Sequence, residues 1–319
     1  MKKINVALVG LGNISNKHIE AIKKIKKFKL ISACDPKKKI QNIKTYSNIE
    51  SMLEKQNDID LVSICSPSGL HYNHILLSLK FRKNVIVEKP LCMNFKQMQV
   101  ISSFAKKNKK KVFVVYQNRL NPLIKSVKKI IKKKSLGKLI TFNSSLYWNR
   151  EDNYFRSSKW RGTKKLDGGV VMNQGSHNID IFSNFFGKVK SVYCAKAKIK
   201  KYIECEDTCV ISFVFESGLI GSFTLSTAVS KEKYSNEIEI FGERKNIKLF
   251  GKNLDTLEYK KKVYFAKNLK KLHINFYKTV YSNLFQNKKN LFSVDTTNHA
   301  TKVLDAINKS LKTGTKILL

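Results

Sequence analysis

Ile4-Asn-Val-Ala-Leu-Val-Gly10-Leu-Gly12-Asn13-Ile14-Ser15-Asn16 is the stretch on which the fold turns. Asn5–Val9 reads as a short buried strand. Two glycines follow at once, and Asn16–Lys27 then places Ile19, Ile22 and Ile25 at helical spacing on one inward face. Strand, G-x-G turn and helix in that order form the dinucleotide fingerprint. Gly10 permits the tight turn and Gly12 lets the backbone approach a pyrophosphate. The helix start, at Asn13 and Ile14, offers free N–H groups to the anion. Ser15 stands where a third Gly or Ala is usual, and it is small enough to keep helix and strand close. Phe28–Cys34 is a second strand, closed by Asp35. A carboxylate there accepts from the ribose hydroxyls and repels a 2′-phosphate, so the expected cofactor is NAD rather than NADP. Lys37–Lys39 beside it would pull the other way, toward a phosphate.

Working outward, Leu61–Cys65, Asn84–Glu88 and Val112–Tyr116 are further apolar strands, separated by helical stretches at Gly69–Lys80 and Asn94–Lys107. Continuous apolar strands between helices predict a parallel sheet covered on both faces. Asn121–Lys134 is an amphipathic helix with Leu123, Ile124, Val127, Ile130 and Ile131 on one stripe. After Leu139 the period changes to two. Leu139–Tyr147, Ser191–Lys200, Thr208–Phe215 and Leu219–Ser226 read as strands, the last two forming a hairpin through Glu216-Ser-Gly218. Glu237–Phe241 and Asn246–Phe250 form another hairpin, and one helical insertion lies around Val170–Phe186. The expected fold is therefore α/β plus α+β. Residues 1–120 form a doubly wound parallel sheet of the Rossmann kind that binds NAD. Residues 121–319 form a second domain with an open, mostly antiparallel sheet for substrate binding and oligomerisation, and a C-terminal helix that can return to the first. The length of 319 residues suits two domains.

The net charge of +39 raises the question of a nucleic-acid ligand. Only six of the 62 basic residues are Arg, the residue whose planar fork suits phosphates and guanine edges. The lysines are spread along the whole chain, which together with abundant Ile and Asn points to compositional drift and away from a nucleic-acid partner. A positive field would still steer anionic ligands inward. The six cysteines form no C-x-x-C pair, so buried reduced thiols are expected and no metal site is implied. The apolar stretch after Met1 is too short for a signal peptide, and no run of about 18 apolar residues exists. The expectation is a cytoplasmic protein with no membrane partner.

Cys65-Ser66-Pro67-Ser-Gly-Leu-His71, then Val87-Glu88-Lys89-Pro90, then Gly168-Gly169 with Asn173-x-x-x-His177 and Asp180, resemble the Gfo/Idh/MocA family of sugar oxidoreductases in order and over essentially the full chain. Within that family, Gln117-Asn-Arg119-x-Asn121-Pro122, Trp160-Arg161-Gly-Thr163 and Asp167-Gly-Gly169 leading into Asn173-Gln174-x-x-His177 resemble the UDP-N-acetyl-2-amino-2-deoxyglucuronate dehydrogenases. Many family members have Asp where this chain has Asn173, which weakens an assignment to inositol or glucose dehydrogenase and favours the uronate group. The resemblance implies NAD-dependent oxidation of the C3 hydroxyl of a UDP-linked 2-acetamido-uronate in surface-polysaccharide biosynthesis. It also implies 2-oxoglutarate as the recycling oxidant and a homo-dimer or homo-tetramer built through the open sheet. The alternatives are another sugar or inositol dehydrogenase of the family and, in a different class, a non-catalytic nucleotide- or nucleic-acid-binding protein.

Alcohol oxidation needs a base within hydrogen-bond reach of the hydroxyl that loses its hydride. Lys89, at the end of a buried strand, and His177 are the candidates. Asn173, four residues before His177, shares a helical face with it and can orient a hydroxyl but cannot ionise. His177 is taken as base and Lys89 as its polarising partner, with the reverse open. The cofactor would touch Gly10, Gly12, Asn13, Ile14, Asp35, Ser66, Pro67, His71, Glu88, Lys89, Gln117, Trp160 and Arg161. The substrate would touch Lys89, Arg119, Thr163, Asn173, Gln174 and His177. Pro90 is a candidate for a cis bond.

Overall fold

The first sheet consists of β1 (Ile4–Val9), β2 (Phe28–Cys34), β3 (Lys44–Tyr46), β4 (Leu61–Ile64), β5 (Asn84–Val87) and β6 (Val112–Val114). The computed structural model describes residues 3–231, 234–285 and 290–319; Met1 and Lys2, at the head of the apolar start, lie outside them. Among the described residues these strands run in the order β3-β2-β1-β4-β5-β6, all parallel. The crossovers carry α1 (Ser15–Lys24), α2 (Ile49–Lys55), α3 (His71–Lys80) and α4 (Phe95–Lys107). Asn48 and Asn94 start α2 and α4 by accepting the N–H of Ser51 and of Gln97. β1, β4 and β5 are buried on both faces, which is why their sequences are nearly continuous apolar runs. Strand order reverses between β1 and β4, so the crevice beyond their carboxyl ends is the ligand position of such a sheet.

Three expected strands end earlier, at Ile64, Val87 and Val114, where the chain leaves the sheet to form the loops at this crevice. The first helix stops at Lys24. β3 and α2 were not expected. β3 is a three-residue polar edge strand, too short to show a period.

The second sheet contains β7 (Leu139–Trp148), β8 (Val189–Ala197), β9 (Thr208–Phe215), β10 (Ile220–Ser226), β11 (Tyr234–Gly242), β12 (Asn246–Phe250), β13 (Thr256–Tyr259), β14 (Lys262–Phe265) and β15 (Ile317–Leu318). Their order is β14-β13-β12-β11-β7-β10-β9-β8-β15. The β7–β10 pair is parallel and the other pairs are antiparallel. The helices around it are α5 (Pro122–Lys132), the short α6 (Asp152–Arg156) and α7 (Ser176–Phe186). Cys209, Ile211, Phe213, Phe215, Phe223 and Leu225 share the inner face, all nearly inaccessible. They pack with Phe142 under α7, whose Phe182 and Phe186 lie 5.0 and 4.6 Å from the Phe142 ring. The opposite face leaves Tyr193, Val210 and Ile220 exposed. Cys34, Cys65, Cys92, Cys194, Cys205 and Cys209 are all buried free thiols.

α8 (Leu272–Phe285) and α9 (Val294–Thr313) complete the helices. The chain divides into two compact units. Met1–Gln117 joins with Lys270–Asn298, and Asn118–Leu269 joins with His299–Leu319. In the first unit α8 sets Tyr277 and Tyr281 edge-on to Phe28. In the second, the part of α9 from His299 onward braces β8, since His299 accepts the Val189 N–H and Ser310 Oγ accepts the Cys194 N–H. No helix among the described residues is long and apolar enough to cross a membrane.

Candidate active site

In the first unit, Gly10 follows β1 with φ +89°, and a Cβ there would lie 2.6 Å from the Ser66 nitrogen. The turn therefore requires glycine for both its backbone angle and its close approach to the loop after β4. A Cβ on Gly12 would meet nothing within 4 Å, so the space over the turn is open. Asp35 stands at the end of β2 and accepts the N–H of Leu11 at 2.8 Å and those of Lys37 and Lys38 at 2.9 Å. Partial burial pushes its pKa up, but these three donors outweigh it and hold the carboxyl below its usual value. Asp35 is thus a fixed anion tied to the glycine turn. Gln117, after β6, carries a buried side-chain oxygen with no hydrogen-bond partner among the described residues. An open glycine cradle, a fixed carboxylate and an orphaned acceptor at the carboxyl edge fit a bound dinucleotide.

The Lys89–Pro90 bond is cis, and Lys89 is half-buried at the end of β5. Glu88 and His71, expected to touch the cofactor, do other work. Glu88 is buried and turned inward, where His18 Nε2 donates to it at 2.9 Å and His273 lies 3.7 Å away. His18 Nδ1 lies 2.9 Å from the Tyr277 hydroxyl and 3.0 Å from that of Ser63, and the two hydroxyls are 3.0 Å apart, so the three form one hydrogen-bonded group. Burial alone would raise the Glu88 carboxyl, yet the hydrogen bond from His18 and the second imidazole of His273 close by hold it well below the usual range. The other Glu88 oxygen accepts the Lys89 N–H at 3.3 Å, so the cluster fixes the backbone that carries the lysine. His18, Glu88 and His273 are also the one trio of metal-capable side chains, among the described residues, with donor atoms within 4.8 Å of one another. His71 is buried with its ring nitrogens 2.8 and 2.9 Å from the carbonyl oxygens of Pro90 and Ser66. It braces the loops after β4 and β5 against each other, which leaves no ring nitrogen for a ligand.

In the second unit, Asp167 is the organiser. It is buried, accepts the Gly162 N–H at 2.7 Å, and accepts from the Asn173 side-chain amide. Trp160-Arg161-Gly162-Thr163 and Asn173 are thereby one hydrogen-bonded piece. The Tyr154 hydroxyl also bonds to Asn173. The expected helix over Val170–Phe186 begins as a π-helical turn, Val171–Gly175, and becomes α7 at Ser176, just before His177. Asn173 therefore lies in the wider turn, a device common at functional sites. Two proposed substrate contacts are used internally. Arg119 Nε and a terminal nitrogen donate to both oxygens of the buried Asp180, and the Thr163 hydroxyl donates to the Trp160 carbonyl at 2.7 Å while accepting from Leu166. Both are structural members in this geometry. Glu206, which the sequence did not single out, sits under Gly169, where a Cβ would lie 2.1 Å from its carboxylate. Burial raises its pKa to about 7.

Residues 4–116 match the oxidoreductase family with an NAD-binding Rossmann fold, and residues 124–248 match the GFO/IDH/MocA C-terminal domain. The chain belongs to the Gfo/Idh/MocA family of oxidoreductases. It is an NAD-dependent dehydrogenase of the sugar and inositol type. Among solved structures, the WlbA dehydrogenase from Bordetella pertussis, in complex with NADH and UDP-GlcNAcA, superposes with a TM-score of 0.92 at 27% identity, covering 100% of this chain and 98% of that one. The WlbA enzyme from Chromobacterium violaceum, with the same two ligands, gives 0.91 at 27%, covering 100% and 96%. The myo-inositol 2-dehydrogenase of Thermotoga maritima is 25% identical over 76% of this chain and 74% of its own. Within the Gfo/Idh/MocA frame, Gly10, Gly12, Asp35, Ser66, Pro67, Lys89 and Gln117 all lie in the first unit, in the turns that follow the carboxyl ends of its strands. Asn173, Gln174, His177, Trp160 and Arg161 lie in the second. The residues missed were Arg150, Tyr154 and Glu206, whose partners come from turns and contacts without a period to read.

Proposed function

We propose that this Gfo/Idh/MocA enzyme oxidises the C3 hydroxyl of a UDP-linked 2-acetamido-2-deoxyglucuronate to the 3-keto sugar. The carrying observation is Asp167 joining the Trp160–Thr163 stretch to Asn173, so that two of the three segments resembling the uronate dehydrogenases form a single hydrogen-bonded piece. The full-length likeness to enzymes crystallised with UDP-GlcNAcA supports the same reading.

NAD, when bound, supplies the hydride acceptor. The protein's part is to hold the sugar and move one proton. Asn173, its amide fixed by Asp167, orients a ring hydroxyl through its remaining polar capacity. His177 takes the hydroxyl proton as the hydride departs, and Lys89, with its ammonium group, is the polarising partner. The Glu88–His18 cluster acts on this step only by fixing the Lys89 backbone. Residues 121–319 serve substrate binding and, through the sheet face bearing Tyr193, Val210 and Ile220, assembly of a homo-dimer or homo-tetramer. The enzyme works in the cytoplasm, and 2-oxoglutarate reoxidises its cofactor in place.

The test is incubation with UDP-2-acetamido-2-deoxyglucuronate and 2-oxoglutarate, followed by mass spectrometry for the 3-keto sugar and 2-hydroxyglutarate. Both products are expected. Turnover of inositol or a free sugar, with none of the nucleotide sugar, would reject the substrate and retain the dehydrogenase.

A further inference from the structure

Beyond Asn173 lies a cluster that the proposed chemistry has not used. The Arg150 guanidinium carbon lies 3.7 Å from the ring centre of Trp148 and 4.3 Å from that of Tyr154. The Arg161 guanidinium lies 3.9 Å from the same Tyr154 ring. Two cations thus share one aromatic ring, and both are largely shielded from water. Each has a buried Nε with no hydrogen-bond partner among the described residues. Neither meets a carboxylate among those residues. Arg161 makes one 3.3 Å bond to the Tyr154 carbonyl.

Stacking on aromatic faces suits guanidinium because it is weakly hydrated, and it leaves the N–H groups in the guanidinium plane free to point outward. It does not remove the mutual repulsion of two shielded cations, nor does it satisfy their donors. Asp167, the nearby acid that Tyr154 senses, already accepts from Gly162 and Asn173. The arrangement is complete only when an anion with several oxygens arrives, since a carboxylate or phosphate accepts paired N–H groups from such a fork.

Its position ties that anion to the substrate. Tyr154 hydrogen-bonds to Asn173, and Asn173, on the reading above, faces the sugar. We propose that Arg150 and Arg161, gathered over Tyr154, form the subsite for an anionic oxygen group of the substrate: the uronate carboxylate or the diphosphate of a nucleotide sugar. This rests on the nucleotide-uronate reading and adds to it the residues that read the charge.

Binding of UDP-2-acetamido-2-deoxyglucuronate, UDP-N-acetylglucosamine, UDP and NAD is measured by calorimetry for the wild type, Arg150→Gln, Arg161→Gln and Arg150→Lys. We expect each Gln variant to bind the uronate at least about tenfold more weakly, a loss of roughly 1.4 kcal/mol, and Arg150→Lys to recover part of it. A loss confined to the uronate identifies the carboxylate as the bound group. An equal loss for all three uridine ligands identifies the diphosphate. Unchanged uridine-ligand affinities in natively folded variants overturn the subsite, as does a loss confined to NAD. A readout that needs no variant is phenylglyoxal labelling of the wild type. Glucuronate or pyrophosphate should protect Arg150 and Arg161 while the exposed Arg82 and Arg244 still react; equal labelling with and without anion overturns the proposal. If no nucleotide sugar is turned over but these anions protect the pair, the substrate reading falls and the subsite stands. If turnover proceeds and both Gln variants keep wild-type affinity, the reverse holds.

Discussion

Glu206→Gln should stabilise the second unit at pH 8 and leave it little changed at pH 4. Burial under Gly169 displaces the Glu206 carboxyl from 4.5 to about 7, against weaker opposition from its own N–H, Lys196 and the Val171 N–H. Its folded pKa is therefore raised. Between pH 4.5 and about 7 the folded protein keeps a proton that the unfolded chain releases, so stability falls as pH rises through that window. Below it the carboxyl is neutral in both states and there is no effect. Above it the deficit is complete, and a displacement of this size corresponds to roughly 3 kcal/mol. Glutamine cannot ionise, so the variant escapes the deficit. The two tryptophans, Trp148 and Trp160, both belong to the second unit, so their fluorescence during urea unfolding reports on the unit that holds Glu206. Wild type and variant should separate progressively from pH 5 to pH 8. A stability difference that stays flat across that range would refute the argument that burial governs this carboxyl.

The glycine turn gives a paired prediction: Gly10→Ala should destabilise the first unit and abolish NAD binding, because its Cβ meets the Cys65–Ser66 backbone, whereas Gly12→Ala should melt like the wild type yet bind NAD more weakly. Titration and melting of both variants separate the two effects, and identical behaviour would contradict the geometry. Asp35→Asn should narrow the preference for NAD over NADP by about tenfold, the equivalent of roughly 1.4 kcal/mol, read as the ratio of the two dissociation constants; an unmoved ratio would remove Asp35 as the discriminator. Arg119→Ala leaves Asp180 buried without its partner and should cost about 3–5 kcal/mol in unfolding experiments, with a neutral result showing that the pair contributes little. His177→Ala should lower kcat by about 10²–10⁴-fold without changing NAD affinity, and near-normal turnover would exclude it as the base.

Periodic features were readable in the sequence. The apolar runs of β1, β4 and β5 and the alternation of Cys209, Ile211, Phe213 and Phe215 state their burial directly, and the structure reproduces both. β3 and β15 are too short to carry a period. In α8, Phe276, Tyr277, Val280 and Tyr281 have helical spacing, but nothing local to them says that the helix joins the first unit. Neighbourhood in a motif also misled. Glu88 stands beside Lys89 in sequence, but its carboxylate is drawn inward by two imidazoles that come from α1 and α8. Arg119, expected to touch the substrate, instead holds a carboxylate of the protein itself, that of Asp180. Such choices depend on which charge reaches a buried site first in three dimensions, and spacing along the chain does not record that.

The hydroxyl of Tyr277 reaching His18 has a consequence for biosynthesis. A fragment ending at Gln117 would leave His18, Ser63 and Phe28 without their covering helix, so the nucleotide-binding half is not a separable cassette. On the ribosome that half must wait, with one flank of its sheet uncovered, while the whole substrate-side half is made. At roughly 10 residues per second the delay is on the order of 20 s, and chaperone demand during that interval should exceed what the mature enzyme's stability would suggest.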